Sequence, residues 1–202
     1  MASRTTMPAT LRVLRDEHLA LTALLRTLLL LISQARASRT PPDFGALRAL
    51  LFYIEEFPEK RHHRKESDLL FPKLRARTPL QRGLLDRLDE EHTRGEHRVR
   101  ELQHALTAFE FLGEAQRAHF EDAAQRYVDF YLTHMALEER EIMPLAEQVL
   151  TQEDWQELDE ACGLDLDPLV AGGADAPWDA LFHRVVERIP APFGLGERPA
   201  CS

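Results

Sequence analysis

Thiol chemistry has almost no place in this 202-residue chain, which holds two cysteines, Cys162 and Cys201, outside any Cys-x-x-Cys spacing. A disulfide framework and a thiolate metal site are both excluded, so any metal must rely on nitrogen and oxygen ligands. Basic stripes are missing as well. The net charge of -9 comes from acidic residues spread along the chain, with no Lys/Arg track for phosphates or anionic lipid, and nucleic acid and membrane surfaces are not expected partners. Unbroken apolar runs such as Leu28 to Ile32 are far below the roughly 18 residues of a membrane span, and the polar start MASRTTMPAT carries no secretory pattern. A cytoplasmic location is the expectation.

Strand alternation is also missing, and four stretches instead carry apolar residues at alternating steps of three and four, the spacing of one helix face. The first helix covers about 8–34, with its seam at Leu11, Leu14, His18, Leu21, Leu25, Leu28 and Ile32. The second covers about 44–74, with Leu47, Leu51, Ile54, His62, Glu66 and Leu69 on one face and a kink expected at Pro58. A third, begun by Thr78 and Pro79, reads Leu85, Leu88, His92, Gly95, Val99, Leu102, Leu106 and Phe109 and ends at Gly113. The fourth reads Phe120, Ala124, Tyr127, Tyr131, His134, Glu138 and Leu145. Short connections favour antiparallel neighbours, so the expected fold is all-α, an up-down-up-down four-helix bundle over residues 1–150. Residues 151–202 read as a short helical C-terminal extension: a helix capped by Thr151 and Asp154 and closed by Gly163, a second over 177–188, and a tail rich in Pro and Gly.

Each seam places a histidine where leucine would pack better: His18, His62, His92 and His134. A buried polar side chain without a partner costs about 1–3 kcal/mol, and an unpaired carboxylate more. Glu66 and Glu138 each follow a seam histidine by four residues, one helical turn, and so point into the same volume. The pattern also repeats. His62, Glu66, Phe71 and Pro72 recur as His134, Glu138, Met143 and Pro144 at identical offsets, and Asp16-Glu17-His18 matches Glu90-Glu91-His92. A duplicated helix hairpin would build a pseudo-twofold cage of four imidazoles and two carboxylates. Such a cage suits two metal ions, each taking two histidines and sharing both glutamates. With an oxo or hydroxo bridge each would be five-coordinate and open to a small ligand. Imidazole and carboxylate without thiolate point to iron, with manganese and zinc behind it.

Over roughly residues 8–150 the chain resembles the hemerythrin-like family of His-His-Glu cation-binding domains. The resemblance rests on RDEHLAL around His18, RHHRKESDLLFP around His62 and Glu66, DEEHTRGEH around His92 and THMALEEREIMP around His134 and Glu138. It implies a four-helix bundle with a non-haem di-iron centre that binds O2, NO or H2O2 as a sensor or scavenger. Iron storage or delivery for iron–sulfur cluster repair is the alternative the family offers. Oxygen-carrying members have a fifth histidine one turn after the third-helix ligand, where this chain has Glu96. Glu96 is therefore a candidate extra ligand or a base beside the ligands, and reversible oxygen storage is not implied. His63 points about 100° away from His62 on an ideal helix, so a supporting or solvent-facing role is expected ahead of a place as an extra ligand. Tyr131 lies on the face of His134, where core packing is expected first and a hydrogen bond from its hydroxyl to a metal-bound ligand is the alternative. Turnover of peroxide or nitric oxide would mark an enzyme, and stoichiometric binding a sensor or carrier. A third reading makes the extension from Thr151 onward a docking element for a partner or for the second subunit of a homodimer, with the metal site gating the contact.

Overall fold

The computed structural model describes residues 7–162, and among these all regular structure is helical. Helix α1 spans Ala9–Ser38 and ends where Arg39 turns into the left-handed region. Asp43 caps α2, Phe44–Ile54, by accepting the Ala46 amide at 2.9 Å. Two π-helical stretches, Glu55–His62 and Lys65–Leu70, then lead into α3, Phe71–Arg77. Helix α4, Arg82–Leu112, is closed by Gly113 at a φ of 80°, a conformation that favours glycine. A single 3-10 turn, Glu114–Gln116, opens α5, Arg117–Leu137, which continues through a third π stretch, Glu138–Ile142, into α6, Met143–Val149.

The wide turns have a local cause. Pro72 and Pro144 have no N–H to offer the carbonyls four residues back, and the amides just before them reach five residues back instead. The Phe71 amide bonds the Glu66 carbonyl, and the Met143 amide bonds that of Glu138. Pro58 sits inside the first stretch in the same way, so the break expected there takes the form of π turns. An inserted π turn also shifts the buried face by a residue. Leu70 is buried where the regular period pointed to Leu69, which is half-buried.

Four rods result: α1, the run from α2 to α3, α4, and the run from α5 to α6. α1 and α4 each pack against α2 and α5. Apolar side chains form two separate clusters, one holding Leu25, Leu51, Leu106 and Phe120 and the other Leu14, Phe71, Leu88 and Met143. The polar seam residues form the layer between them. α1 is long and apolar enough by composition to cross a membrane, which a count of unbroken runs missed because Thr22, Arg26, Thr27 and Ser33 interrupt it. Its seam from Leu11 to Ile32 is committed to the bundle core.

Helix α7, Gln152–Cys162, starts at the box expected from Thr151 and Asp154: the Thr151 amide donates to Asp154 at 2.9 Å and the Asp154 amide to the Thr151 hydroxyl at 3.2 Å. Arg77 grips the same carboxylate with two hydrogen bonds, and Asp159 accepts from the Thr10 amide and hydroxyl, both at 2.7 Å. The start of the expected extension is thus fastened to the end of the bundle. The expected closing Gly163, the helix over 177–188 and the Pro/Gly-rich tail lie outside the described residues.

Candidate metal centre

All six seam ligands converge between the two clusters, each at most 6 % exposed. His18 and His62 face one another with their Nε2 atoms 3.1 Å apart, and His92 and His134 do the same at 3.0 Å. Glu138 lies across both pairs, with Oε2 3.3 Å from His18 Nε2 and Oε1 3.1 Å from His134 Nε2. Glu66 Oε2 is 3.4 Å from His62 Nε2 and 3.5 Å from His92 Nε2. The donor atoms therefore form two overlapping sets, His18, His62, Glu66, Glu138 and Glu66, His92, His134, Glu138, each within a sphere that one ion could fill.

The outward nitrogens settle the tautomers. His18 Nδ1 meets Glu139 at 3.0 Å, His62 Nδ1 meets Glu17 at 2.8 Å and His134 Nδ1 meets Glu91 at 2.9 Å. A carboxylate only accepts, so each Nδ1 carries the proton. Ser67 donates to Asp89 at 2.6 Å and is left to accept from His92 Nδ1 at 2.7 Å, with the same result. In the neutral form of each ring all four Nε2 atoms then present lone pairs to the centre. Two facing lone pairs cannot hydrogen-bond each other, and Glu66 Oε2 and both oxygens of Glu138 are buried without a hydrogen-bond partner. A donor set of imidazoles and carboxylates that nothing in the protein satisfies is what a cation requires.

Charge points the same way. Burial disfavours the imidazolium of His18, but the adjacent Glu138 carboxylate, the hydrogen bond to Glu139 and the charge of Glu66 outweigh it and raise its pKa to about 10. His134 is likewise raised to about 10 against burial, by the Glu138 charge and by the hydrogen bond to Glu91. Burial and the neighbouring Glu138 charge push Glu66 well above the usual carboxylate range, whereas the histidines around Glu138 overcome its burial and hold it well below. The cage favours positive charge.

A match to the family model of the hemerythrin HHE cation-binding domain spans residues 9–146. The chain belongs to the hemerythrin family. No curated protein matches it significantly. Family membership and the clustered donors together make it a cation-binding hemerythrin domain.

Three further candidates fall beside this hemerythrin cage. Glu96 does not join the donor sets: it is half-buried on α4, with Arg100 3.8 Å away. His63 is buried rather than turned to solvent. It stacks on His92 at 4.1 Å between ring centroids and 9° between planes, and forms a third donor group with His92 and His134. Burial and the neighbouring histidines keep its pKa well below the usual value. Tyr131 turns its hydroxyl to Glu59, which also accepts from Tyr127 at 2.7 Å. Gly95 makes room for this: a Cβ there would lie 1.9 Å from the Tyr131 hydroxyl and 2.7 Å from Glu59 Oε2.

Spacing along the chain gave Glu17, Glu59, Glu91 and Glu139 no part in the site. The structure has Glu17, Glu91 and Glu139 holding histidines on other rods, and Glu59 buried under two tyrosines. A signal existed for the first three. Glu17 and Glu91 stand at matching places before His18 and His92, and Ser67 and Glu139 at matching places after Glu66 and Glu138.

Proposed function

We propose that this hemerythrin domain is a non-haem di-iron protein, built as an up-down-up-down bundle, that binds or reacts with a small diatomic or peroxide ligand as a sensor or scavenger. The observation that carries the reading is the pair of overlapping donor sets, two imidazole nitrogens in each and two carboxylates common to both. Glu66 and Glu138 would be shared, with His18 and His62 holding one ion and His92 and His134 the other. A bridged iron pair would supply an open coordination position and reversible electron transfer.

The chain's own side chains set the conditions for that chemistry. Glu17, Glu91, Glu139 and Ser67 keep protons on the outer nitrogens, which aims and strengthens the inner ones. Leu14, Phe71, Leu25 and Phe120, in the apolar clusters on either side, exclude bulk water. A cavity of about 290 Å³ reaches His92 past Glu59, His63 and Glu96, and has room for a few water-sized molecules but no large substrate. Anaerobic iron loading followed by metal analysis tests the reading, with about two irons per chain expected. Spectra of the loaded protein on adding O2, NO or H2O2 should then change. Iron that stays substoichiometric after loading, or loaded protein inert to all three, would refute it.

A further inference from the structure

The cage is closed to solvent, so a cation needs a route inward, and two cavities reach its histidines. One, of about 390 Å³, touches His134 and is lined by Arg87, Arg98 and Arg126 against the carboxylates Glu91 and Asp129. Guanidinium groups outnumber carboxylates there, and the net positive lining disfavours entry of a cation. The other, of about 290 Å³, touches His92 and is lined by Glu59, Asp89 and Glu96, with Arg64 as its one basic residue besides the imidazoles.

Two polar atoms in the acidic cavity lack hydrogen-bond partners. Glu59 Oε1 is occupied by the two tyrosines, but Oε2 is not, and neither is His63 Nδ1, which lies 3.3 Å from it. Both side chains are at least nine-tenths buried. Burial first of all, helped by the charge of Glu96, raises Glu59 to about 7 despite the tyrosine hydrogen bonds, so positive charge beside it would be stabilising. An unpartnered carboxylate oxygen next to an unpartnered imidazole nitrogen can take a divalent first-row transition-metal cation at both atoms.

We infer that Glu59 and His63, with Glu96 at the mouth, form a transient divalent-cation site through which the cage is loaded. This rests on the cage reading above. His63 belongs both to this pair and to the donor group it forms with His92 and His134, so the sets overlap in a chain from solvent to Glu66 and Glu138. Each handover replaces one ligand at a time, which avoids leaving the ion bare in a low-dielectric interior. The pseudo-twofold mates of Glu59 and His63 are Tyr131 and Met135, which cannot do this, so loading is one-sided.

The test is stopped-flow uptake of cobalt(II) by the full-length apoprotein, followed by cobalt absorbance, with total cobalt per chain measured at the end. Glu59→Gln is expected to load about tenfold more slowly than the parent and Glu96→Gln about threefold, both reaching the parental cobalt content. Glu90→Gln removes an equal charge from α4 at an exposed position paired with Arg94, and should load like the parent. Parental rates in Glu59→Gln and Glu96→Gln, or slowing no greater than that of Glu90→Gln, overturn the loading site while leaving the cage intact. An apoprotein that takes up no cobalt overturns both. Glu96 is half-exposed and outside the core, so its variant keeps the test decisive should Glu59→Gln fail to fold.

Discussion

The two halves of the bundle are alike where they face the cage centre and different one turn further out. His18, His62 and Glu66 in the first half match His92, His134 and Glu138 in the second, and the supports Glu17 and Ser67 match Glu91 and Glu139. Beyond that layer Glu59 faces Tyr131 across the pseudo-twofold, and His63 corresponds to Met135. On the proposed two-ion reading, ions of one kind need two equal donor sets, and that demand would hold the inner layer symmetric. The outer layer is under no such demand, and there the halves have diverged into one mainly acidic side and one where arginines outnumber carboxylates.

The largest expected effect comes from breaking one half at a time. His62→Ala and His134→Ala should each lower bound metal to about one ion per chain, and the double variant should bind almost none, because each histidine belongs to only one of the two sets that share Glu66 and Glu138. Equal losses of both ions in either single variant would show that the sets do not fill independently. Elemental analysis of the purified proteins reads this directly.

Glu17→Gln and Glu91→Gln probe whether the supports are as symmetric as the ligands. Each removes the carboxylate that anchors one imidazole, and each should weaken metal affinity about 10- to 100-fold in competition with a chelator. A much larger effect in one half would place the functional asymmetry inside the cage rather than outside it.

Gly95→Ala sharpens the outer-layer difference, since the matching position on α1 is Leu21 and tolerates a side chain. A Cβ at position 95 runs into the Tyr131 hydroxyl and Glu59, so the variant should lose about 1–3 kcal/mol in denaturant unfolding. Unchanged stability would mean that the tyrosine–glutamate cluster yields easily.

The smallest effect concerns the bundle end. Thr151→Ala removes a capping contact and should cost about 1 kcal/mol. Arg77, joined by Thr151 and opposed by burial, holds Asp154 below its ordinary value of 3.8. A depressed carboxylate stabilises the fold above its unfolded pKa and loses that contribution as pH falls through the folded one. Stability measured downward from pH 4 should therefore decline less steeply in Asp154→Asn than in the parent.

Much of this was open to reading in the sequence because local periodicity carries it. Histidines at core positions of four amphipathic stretches, and glutamates one turn after two of them, place all six donors without tertiary knowledge. Repetition at fixed offsets adds the pairing of halves. What periodicity could not carry is any contact between rods. Glu17 reaches His62 and Glu91 reaches His134 across 45 and 43 residues of chain, and their own helix faces mark them only as charged surface. Likewise His63, Leu70 and Glu59 are buried in or beside π turns, where the regular step along the helix no longer holds. Sequence alone determined the helices and the donor atoms, because both follow from spacing along one chain. Which carboxylate orients which imidazole, and which side of the cage is acidic, were decided only by how the rods pack.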